Sequence, residues 1–207
     1  MTRSAFVAIV GKPNVGKSSL LNLLVGEKIA IISDKPQTTR TRITGVLTQD
    51  EVQLVFIDTP GLHKPKNKLG DYMVKQVTDS VGDVDCAVFV TDPFGDITES
   101  ELALIIKELH LPAILVINKI DALANKEDMV KKMVAISKLY DFEQVVPISV
   151  REKDGTDLLL SLIQQQAQEG PHFFPNDTLT DQPEKVIVAE IIREKVLRNM
   201  RDEIPHG

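Results

Sequence analysis

Gly11-Lys12-Pro13-Asn14-Val15-Gly16-Lys17-Ser18 matches the pattern G-x-x-x-x-G-K-[ST], which predicts a phosphate-binding loop. The two glycines let such a loop turn tightly and approach a ligand closely. The backbone N–H groups of residues 14–18, at the start of a helix, then face the phosphate oxygens. We expect the whole stretch and Ser19 to bind a nucleotide, with Lys17 placing a positive charge on the outer phosphates and Ser18 ligating Mg²⁺.

The residues around this loop predict an α/β fold. Apolar runs alternate with amphipathic segments, a pattern typical of a mostly parallel sheet with helices on both faces. We predict six strands, of which the second and third form a hairpin, and ligand binding beyond the carboxyl ends of the strands. The predicted strands are 6–10, 44–48, 52–57, 86–90, 113–117 and 145–148, and the predicted helices are 19–25, 69–81, 99–109, 127–139, 156–166 and 186–201.

Composition narrows the class of protein. The chain has 207 residues, 43% of them hydrophobic and 26% charged, as in a soluble globular protein with a sizeable core. Its net charge of −6 makes it a poor bulk binder of nucleic acid. The one cysteine, Cys86, has no partner for an intrachain disulfide and is expected to be a buried strand residue. An unpaired cysteine fits a reducing, cytoplasmic setting, and no apolar run has the length of a signal peptide core or a membrane span.

A second motif, Asp58-Thr59-Pro60-Gly61, follows the predicted strand 52–57. At that position Asp58 can hold Mg²⁺ through water, and the Gly61 N–H can bind a γ-phosphate. The pattern is common by chance, so its place after a strand carries the inference, and a turn-capping aspartate is the alternative. In the polar segment 36–42 we expect Thr39, in preference to Thr38, to complete the Mg²⁺ shell, the alternative being a solvated threonine.

A third motif, Asn118-Lys119-Ile120-Asp121, follows the predicted strand 113–117 and indicates a guanine base. The Asp121 carboxylate can accept from both N1–H and the N2 amino group of guanine, which adenine lacks. We expect Asn118 to orient the loop and reach the base edge, and the stem of Lys119 to cover the ring. Ser149-Val150, after the last predicted strand, is a weaker match, from which a backbone N–H could reach the guanine oxygen.

Four such motifs in this order predict a GTPase of the small-GTPase type, and further segments make the likeness more specific. They extend from residue 5 to the end of the chain, and the most diagnostic ones lie after residue 171. The segments are Pro36-Gln37-Thr38-Thr39-Arg40, Asp58-Thr59-Pro60-Gly61-Leu62-His63, Val146-Pro147-Ile148-Ser149, His172-Phe173-Phe174-Pro175 and Glu190-Ile191-Ile192-Arg193-Glu194-Lys195. Together they resemble the Era family of bacterial GTPases.

That resemblance implies a domain organisation and a set of partners. It implies a GTPase domain at residues 1–170, a linker at 171–185, and at 186–207 the first helix of an RNA-binding KH domain that is largely absent here. No G-x-x-G loop, which would clamp RNA backbone, follows residue 186. The implied cofactors are Mg²⁺ and GTP or GDP, and the implied partners are 16S ribosomal RNA and the 30S subunit, whose maturation such proteins assist. We expect a monomer, in the cytoplasm and in part at the inner face of the membrane.

The catalytic groups follow from the same motifs. We expect Lys17, Thr39, Gly61 and Asn14 to stabilise the charge that develops during phosphoryl transfer to water. Leu62 stands where a water-orienting glutamine is usual, so we expect slow turnover, on the order of 10⁻³ to 10⁻² s⁻¹. The resemblance adds K⁺ as a candidate ion held by Asn14, and the alternative is a turn residue that bonds its own backbone.

Two other functions remain open at this point. A phosphate-binding loop also occurs in ATPases and kinases, but the Asn118–Asp121 motif favours guanine over adenine. The missing glutamine leaves open a guanine-nucleotide-binding module with negligible hydrolysis.

Overall fold

A computed structural model describes residues 1–32, 43–58, 84–94 and 111–199 of the chain. Its centre is a sheet in the order β2-β3-β1-β4-β5-β6, with β7 paired to β1. The strands are β1 (Arg3–Gly11), β2 (Ile43–Gln49), β3 (Val52–Asp58), β4 (Cys86–Thr91), β5 (Ala113–Ile117), β6 (Gln144–Pro147) and β7 (Gln168–Glu169). The helices are α1 (Lys17–Val25), α2 (Lys126–Ser137), α3 (Thr156–Gln165) and α4 (Glu184–Asn199).

The pairing confirms the predicted α/β class. Strands β3, β1, β4, β5 and β6 run parallel, and β2 forms the predicted hairpin with β3. The six predicted strands are all present. The two-residue strand β7 is a seventh that the prediction lacked, and it pairs antiparallel with the start of β1. The predicted helices 69–81 and 99–109 lie outside the described residues.

Most of the strands are buried on both faces of the sheet, which explains why their sequences are continuous apolar runs. On β1, Val7 and Ile9 point to one side of the sheet, and Ala8 and Val10 point to the other. The first face packs against α1 and α3, and the second packs against α2. Each fully buried Val, Leu or Ile side chain stabilises the fold by about 1.5–3 kcal/mol. Burial on both faces therefore places these strands inside the layered fold, and the motifs follow at their carboxyl ends.

The segment after α3 lies on the β2–β3 hairpin and is held there by the buried side chain of Gln53. Its amide oxygen accepts from the N–H groups of Phe173 (2.7 Å) and Phe174 (2.9 Å), and its amide nitrogen donates to the Phe174 carbonyl at 2.9 Å. The Phe173 ring meets the ring of Phe6 edge-on, with centroids 4.8 Å apart. Farther along, the Val46 N–H donates to the Leu179 carbonyl at 2.8 Å. Residues 173–179 therefore run along the hairpin as a docked strap.

No helix among residues 1–32, 43–58, 84–94 and 111–199 is long and apolar enough to cross a bilayer.

Candidate functional site

The described motif residues meet at the carboxyl edge of the parallel strands. The phosphate-loop stretch follows β1, and Asp58 is the last residue of β3. The 118–121 and 149–150 segments follow β5 and β6. This is the edge where open α/β sheets bind their ligands, because loops from neighbouring parallel strands converge there.

The loop after β1 has a backbone shape that requires its glycines. Gly11 has φ 147°, and a Cβ on it would lie 2.1 Å from the Val90 carbonyl oxygen. Gly16, directly before α1, has φ 102°, and a Cβ there would lie 2.2 Å from Nδ2 of Asn118. Asn14 also adopts a left-handed conformation, with φ 64°. The loop thus packs closely on β4 and on the 118–121 segment.

Lys17 is buried at the floor of this loop, with 6% of its surface exposed. Its ammonium donates to the carbonyls of Gly11 (3.1 Å) and Lys12 (2.8 Å). Burial lowers the pKa of Lys17 to about 8, and the nearby Asp58 carboxylate acts in the opposite direction. The Lys17 ammonium is shielded from water and bonds only neutral carbonyl oxygens. A negatively charged phosphate oxygen attracts it more strongly, so Lys17 is well placed to donate to a phosphate that binds in the loop.

Asp58 is fully buried and faces the start of α1. Its Oδ2 accepts from the Ser18 hydroxyl at 2.7 Å, and its Oδ1 has no hydrogen-bond partner within the described part of the chain. Burial raises the pKa of Asp58 to about 6, against the lowering effects of Lys17 and of the Ser18 hydrogen bond. A buried carboxylate oxygen without a partner is costly unless a cation or a donor completes it.

This pair fits a magnesium ion. Mg²⁺ prefers hard oxygen ligands and keeps several waters, so one or two protein oxygens beside substrate phosphates suffice. The Ser18 hydroxyl and the Asp58 carboxylate supply such oxygens, and the unpartnered Oδ1 has capacity for another contact. The other predicted metal ligand, Thr39, lies outside the described residues, as do Thr59, Pro60 and Gly61.

Asn118 holds two loops together through both ends of its amide. Its Nδ2 donates to the Val15 carbonyl at 2.9 Å, and its Oδ1 accepts from the Val150 N–H at 3.1 Å. It is 3% exposed. The Asn118 amide, which was expected to reach the base edge, is therefore bonded to protein. The Val150 N–H, a candidate to reach the guanine oxygen, is bonded to protein as well.

Lys119 and Asp121 are partly exposed, with 40% and 19% of their side chains accessible. The Lys119 ammonium donates to the Asn14 carbonyl and lies 3.6 Å from Oδ2 of Asp92. Asp121 accepts from the Ser149 hydroxyl at 2.7 Å through Oδ1, and its Oδ2 lies 4.0 Å from the Arg151 guanidinium. Each carboxylate oxygen has a second lone pair, which has the capacity to accept from a ligand.

Sequence reasoning missed two neighbours of this region, Asp92 and Arg151. Asp92 directly follows β4, so its place after a strand was a signal of the same kind that identified Asp58. Arg151 directly follows Ser149-Val150 but belongs to no motif, and its side chain is 82% exposed.

Comparisons with known proteins are consistent with this geometry. A family model described as "50S ribosome-binding GTPase" matches residues 6–119. The GTPase Era proteins of Clostridioides difficile and Clostridium perfringens are 51% and 47% identical to this chain. In both comparisons the match covers all of this chain and 70% of the relative.

Two solved structures are similar over 99% of this chain, each at 39% identity and over 70% of its own length. One is Era in complex with MgGDPNP and nucleotides 1506–1542 of 16S ribosomal RNA, with a TM-score of 0.92. The other is an Aquifex aeolicus Era variant bound to GDP·AlF4⁻, with a TM-score of 0.91.

Proposed function

The chain belongs to the Era family of GTPases, and on this premise we propose that it binds GTP with Mg²⁺ at the carboxyl edge of its sheet and hydrolyses it to GDP and phosphate. One observation carries the proposal. The buried Lys17 ammonium, the Ser18–Asp58 pair and the Asp121 carboxylate lie at the same edge, beyond β1, β3 and β5. This arrangement supplies a phosphate end and a base end for one nucleotide.

At the phosphate end, the loop N–H groups and Lys17 offset the negative charge of the phosphates. Lys17 leaves the carbonyls of Gly11 and Lys12 and donates to the outer phosphate oxygens instead. Ser18 and Asp58 would hold Mg²⁺, which supplies further charge neutralisation when it is bound. Phosphoryl transfer needs positioning and charge stabilisation more than covalent chemistry, and these groups supply part of both.

At the base end, Asp121 reads guanine. Its carboxylate accepts from N1–H and from the N2 amino group, and the Ser149 hydroxyl keeps it in the required orientation. The Lys119 stem covers one face of the ring. Asn118 acts through the two loops that it joins, which makes it a positioning residue of the base pocket.

Hydrolysis has to proceed without the usual glutamine, whose place Leu62 takes. We propose that Thr39 and Gly61 contact Mg²⁺ and the γ-phosphate, and that K⁺ held by Asn14 supplies charge in the transition state. Asn14 is an exposed residue of the loop, next to Lys119 through its carbonyl. Family membership favours a hydrolysing enzyme over a module that only binds.

The proposed partners are 16S ribosomal RNA and the 30S subunit, in whose assembly the protein would act as a nucleotide-controlled switch. The relative that was solved with MgGDPNP and 16S ribosomal RNA supports this proposal. Residues 171–185 would then be the linker and 186–207 the start of the KH domain. The helix α4 exposes Val188, Ile192 and Val196, a face that further structure would cover. A cytoplasmic location with peripheral membrane association is proposed with it.

The experiment is GTP turnover by this chain with Mg²⁺, in K⁺ and in Na⁺ at equal ionic strength. We expect turnover on the order of 10⁻³ to 10⁻² s⁻¹ in Na⁺, a higher rate in K⁺, and loss of the difference in Asn14→Ala. Tight GDP binding with no turnover in either salt would contradict hydrolysis by this chain. A rate independent of the cation would contradict only the role of Asn14.

A further inference from the structure

Lys119 joins three neighbouring segments at the carboxyl edge of the sheet. It lies in the segment that follows β5, and its ammonium donates to the Asn14 carbonyl of the phosphate loop. The same ammonium lies 3.6 Å from Oδ2 of Asp92, which directly follows β4. The ammonium therefore contacts one neutral oxygen and one charged oxygen, each on a different loop.

The backbone holds Lys119 and Asp92 in a fixed relation to each other. The Asn118 N–H donates to the Thr91 carbonyl at 2.8 Å, so the residue before Lys119 is bonded to the residue before Asp92. Lys119 adopts a left-handed conformation, with φ 66°, which is uncommon for a residue other than glycine. Such a conformation persists where surrounding contacts determine it, and the contacts of Lys119 are with the two loops beside it.

The Asp92 carboxylate is oriented by its own loop. Its Oδ1 accepts from the Phe94 N–H at 3.1 Å, a local bond that aspartate commonly makes to the residue two positions on. One oxygen is thus held by the backbone while the other lies beside Lys119. The short Asp92 side chain, 18% exposed, is a fixed point, whereas the longer Lys119 side chain, 40% exposed, has many rotamers.

We propose that Asp92 is a positioning residue of the base pocket, whose carboxylate holds the Lys119 ammonium beside the phosphate loop and thereby keeps the Lys119 stem across the face of the guanine ring. The inference rests on the proposed function, in which that stem covers the ring. Asp92 acts only through Lys119, and Asp121 accepts from the N2 amino group. Asp92 therefore affects how tightly a purine is held, and not which purine is preferred.

The test measures affinities for GDP and for inosine diphosphate, whose base lacks the N2 amino group, by calorimetry with Mg²⁺ at low ionic strength. Asp92→Asn keeps an acceptor for the Phe94 N–H and removes the charge beside Lys119. Partly exposed ion pairs contribute little, so we expect both affinities to fall about threefold to fivefold, with their ratio unchanged. In about 1 M NaCl, where such a pair is screened, the difference from the unsubstituted chain should shrink below about 1.5-fold.

A double-mutant cycle tests whether Asp92 acts through Lys119. Lys119→Met keeps an apolar stem and removes the ammonium. In that background we expect Asp92→Asn to change GDP affinity by less than about 1.5-fold, because the interaction it removes is already absent.

Asp128→Asn is the matched control, since Asp128 forms an exposed ion pair with Lys131 on α2, at 3.4 Å. It is expected to leave both affinities within about 1.5-fold of the unsubstituted chain. Thermal unfolding shows whether each variant is folded at the titration temperature. Asp92→Ser, whose hydroxyl is also an acceptor, takes the place of Asp92→Asn if that variant is unfolded.

An unchanged or raised GDP affinity in Asp92→Asn would overturn the proposal. An equal loss in the Lys119→Met background would also overturn it, because Asp92 would then act by another route. A loss for GDP but not for inosine diphosphate would overturn it by placing the effect at Asp121. Failure of the proposed function would look different, since the unsubstituted chain would then bind neither nucleotide.

Discussion

The two ends of the nucleotide site differ in how deeply their charges are buried. At the phosphate end, Lys17 is 6% exposed and Asp58 is 0% exposed. At the base end, the side chains of Lys119 and Asp121 are 40% and 19% exposed. Charge interactions are stronger where water is excluded, so we expect the proposed phosphate end to supply most of the electrostatic binding energy. We expect the proposed base end to select among nucleotides through the geometry of its hydrogen bonds.

The largest expected effect is at Lys17. Lys17→Ala removes a desolvated ammonium that would face the phosphates, and removal of one member of a buried charge pair typically costs 2–5 kcal/mol. We expect GTP and GDP affinities to fall on the order of 10³-fold, measured by titration with a fluorescent nucleotide. Lys131→Ala on the exposed surface of α2 is the control and should bind normally. A loss below tenfold would mean that the buried end is not where the binding energy lies.

Asp121→Asn tests the base end. Xanthine has a carbonyl where guanine has the N2 amino group, so an amide in place of the carboxylate offers it a matching donor. We expect guanine affinity to fall on the order of 10²-fold and xanthine nucleotides to bind in its place, since unpaired polar groups in a pocket reject the wrong base strongly. Competition against labelled GDP and labelled XDP measures both. If Asp121→Asn weakened the binding of GDP and of XDP equally, the assignment of Asp121 to base recognition would be contradicted.

The burial of Asp58 and Lys17 at the phosphate end also predicts that nucleotide affinity depends on pH. Asp58, with its pKa raised to about 6, must be ionised to hold Mg²⁺, so Mg²⁺-dependent GTP affinity should fall up to tenfold per pH unit below about 6. Lys17, with its pKa lowered to about 8, loses its charge above that value, so affinity should fall there too. The maximum therefore lies between about 6 and 8.

Asp58→Asn provides the control for the acidic limb. The nucleotide titrates in the same way with the unsubstituted chain and with Asp58→Asn. The difference between the two profiles of affinity against pH therefore reports the titration of Asp58 alone. Persistence of the full acidic limb in the variant would show that another group causes it.

The smallest expected effect on binding lies away from both ends. Gln53→Leu removes the amide oxygen that accepts from the Phe173 and Phe174 N–H groups, so both N–H groups lose that acceptor. We expect the free energy of unfolding to fall by about 1–3 kcal/mol, measured by urea denaturation, and nucleotide affinities to stay within about twofold. A large loss of affinity would mean that the strap at residues 173–179 shapes the nucleotide site.

The sequence predicted the sheet well because its signals are local. Each buried strand is a short apolar run, and each motif follows such a run, so the order of the loops at the sheet edge could be inferred. Asp58 was identified in this way, by its place directly after the predicted strand 52–57, and in the structure it is the last residue of β3. The loop glycines were identified because a phosphate-binding loop has a fixed spacing.

The contacts that sequence reasoning missed join residues far apart in the chain. Gln53 is one polar residue within a strand, and nothing near it in the sequence indicates that it binds residues 173–174, about 120 positions later. Glu194 lies in a helix whose charge pattern is typical of a solvated face, yet it is fully buried against Lys28. The amide of Asn118 was expected to orient the loop and to reach the base edge, and in the structure both of its ends bond to neighbouring loops. Only the packing of distant segments reveals such roles.

The central claim, one site with a buried phosphate end and a more exposed guanine-reading end, is tested most directly by displacement of labelled GDP with and without Mg²⁺. We expect GTP to displace it at low concentration, more strongly with Mg²⁺ than without, and ATP to fail at concentrations 10²-fold higher. In Asp58→Asn the strengthening by Mg²⁺ should be much smaller, because only the Ser18 hydroxyl of the pair remains. Equal displacement by ATP and GTP, or an undiminished Mg²⁺ effect in Asp58→Asn, would contradict the account.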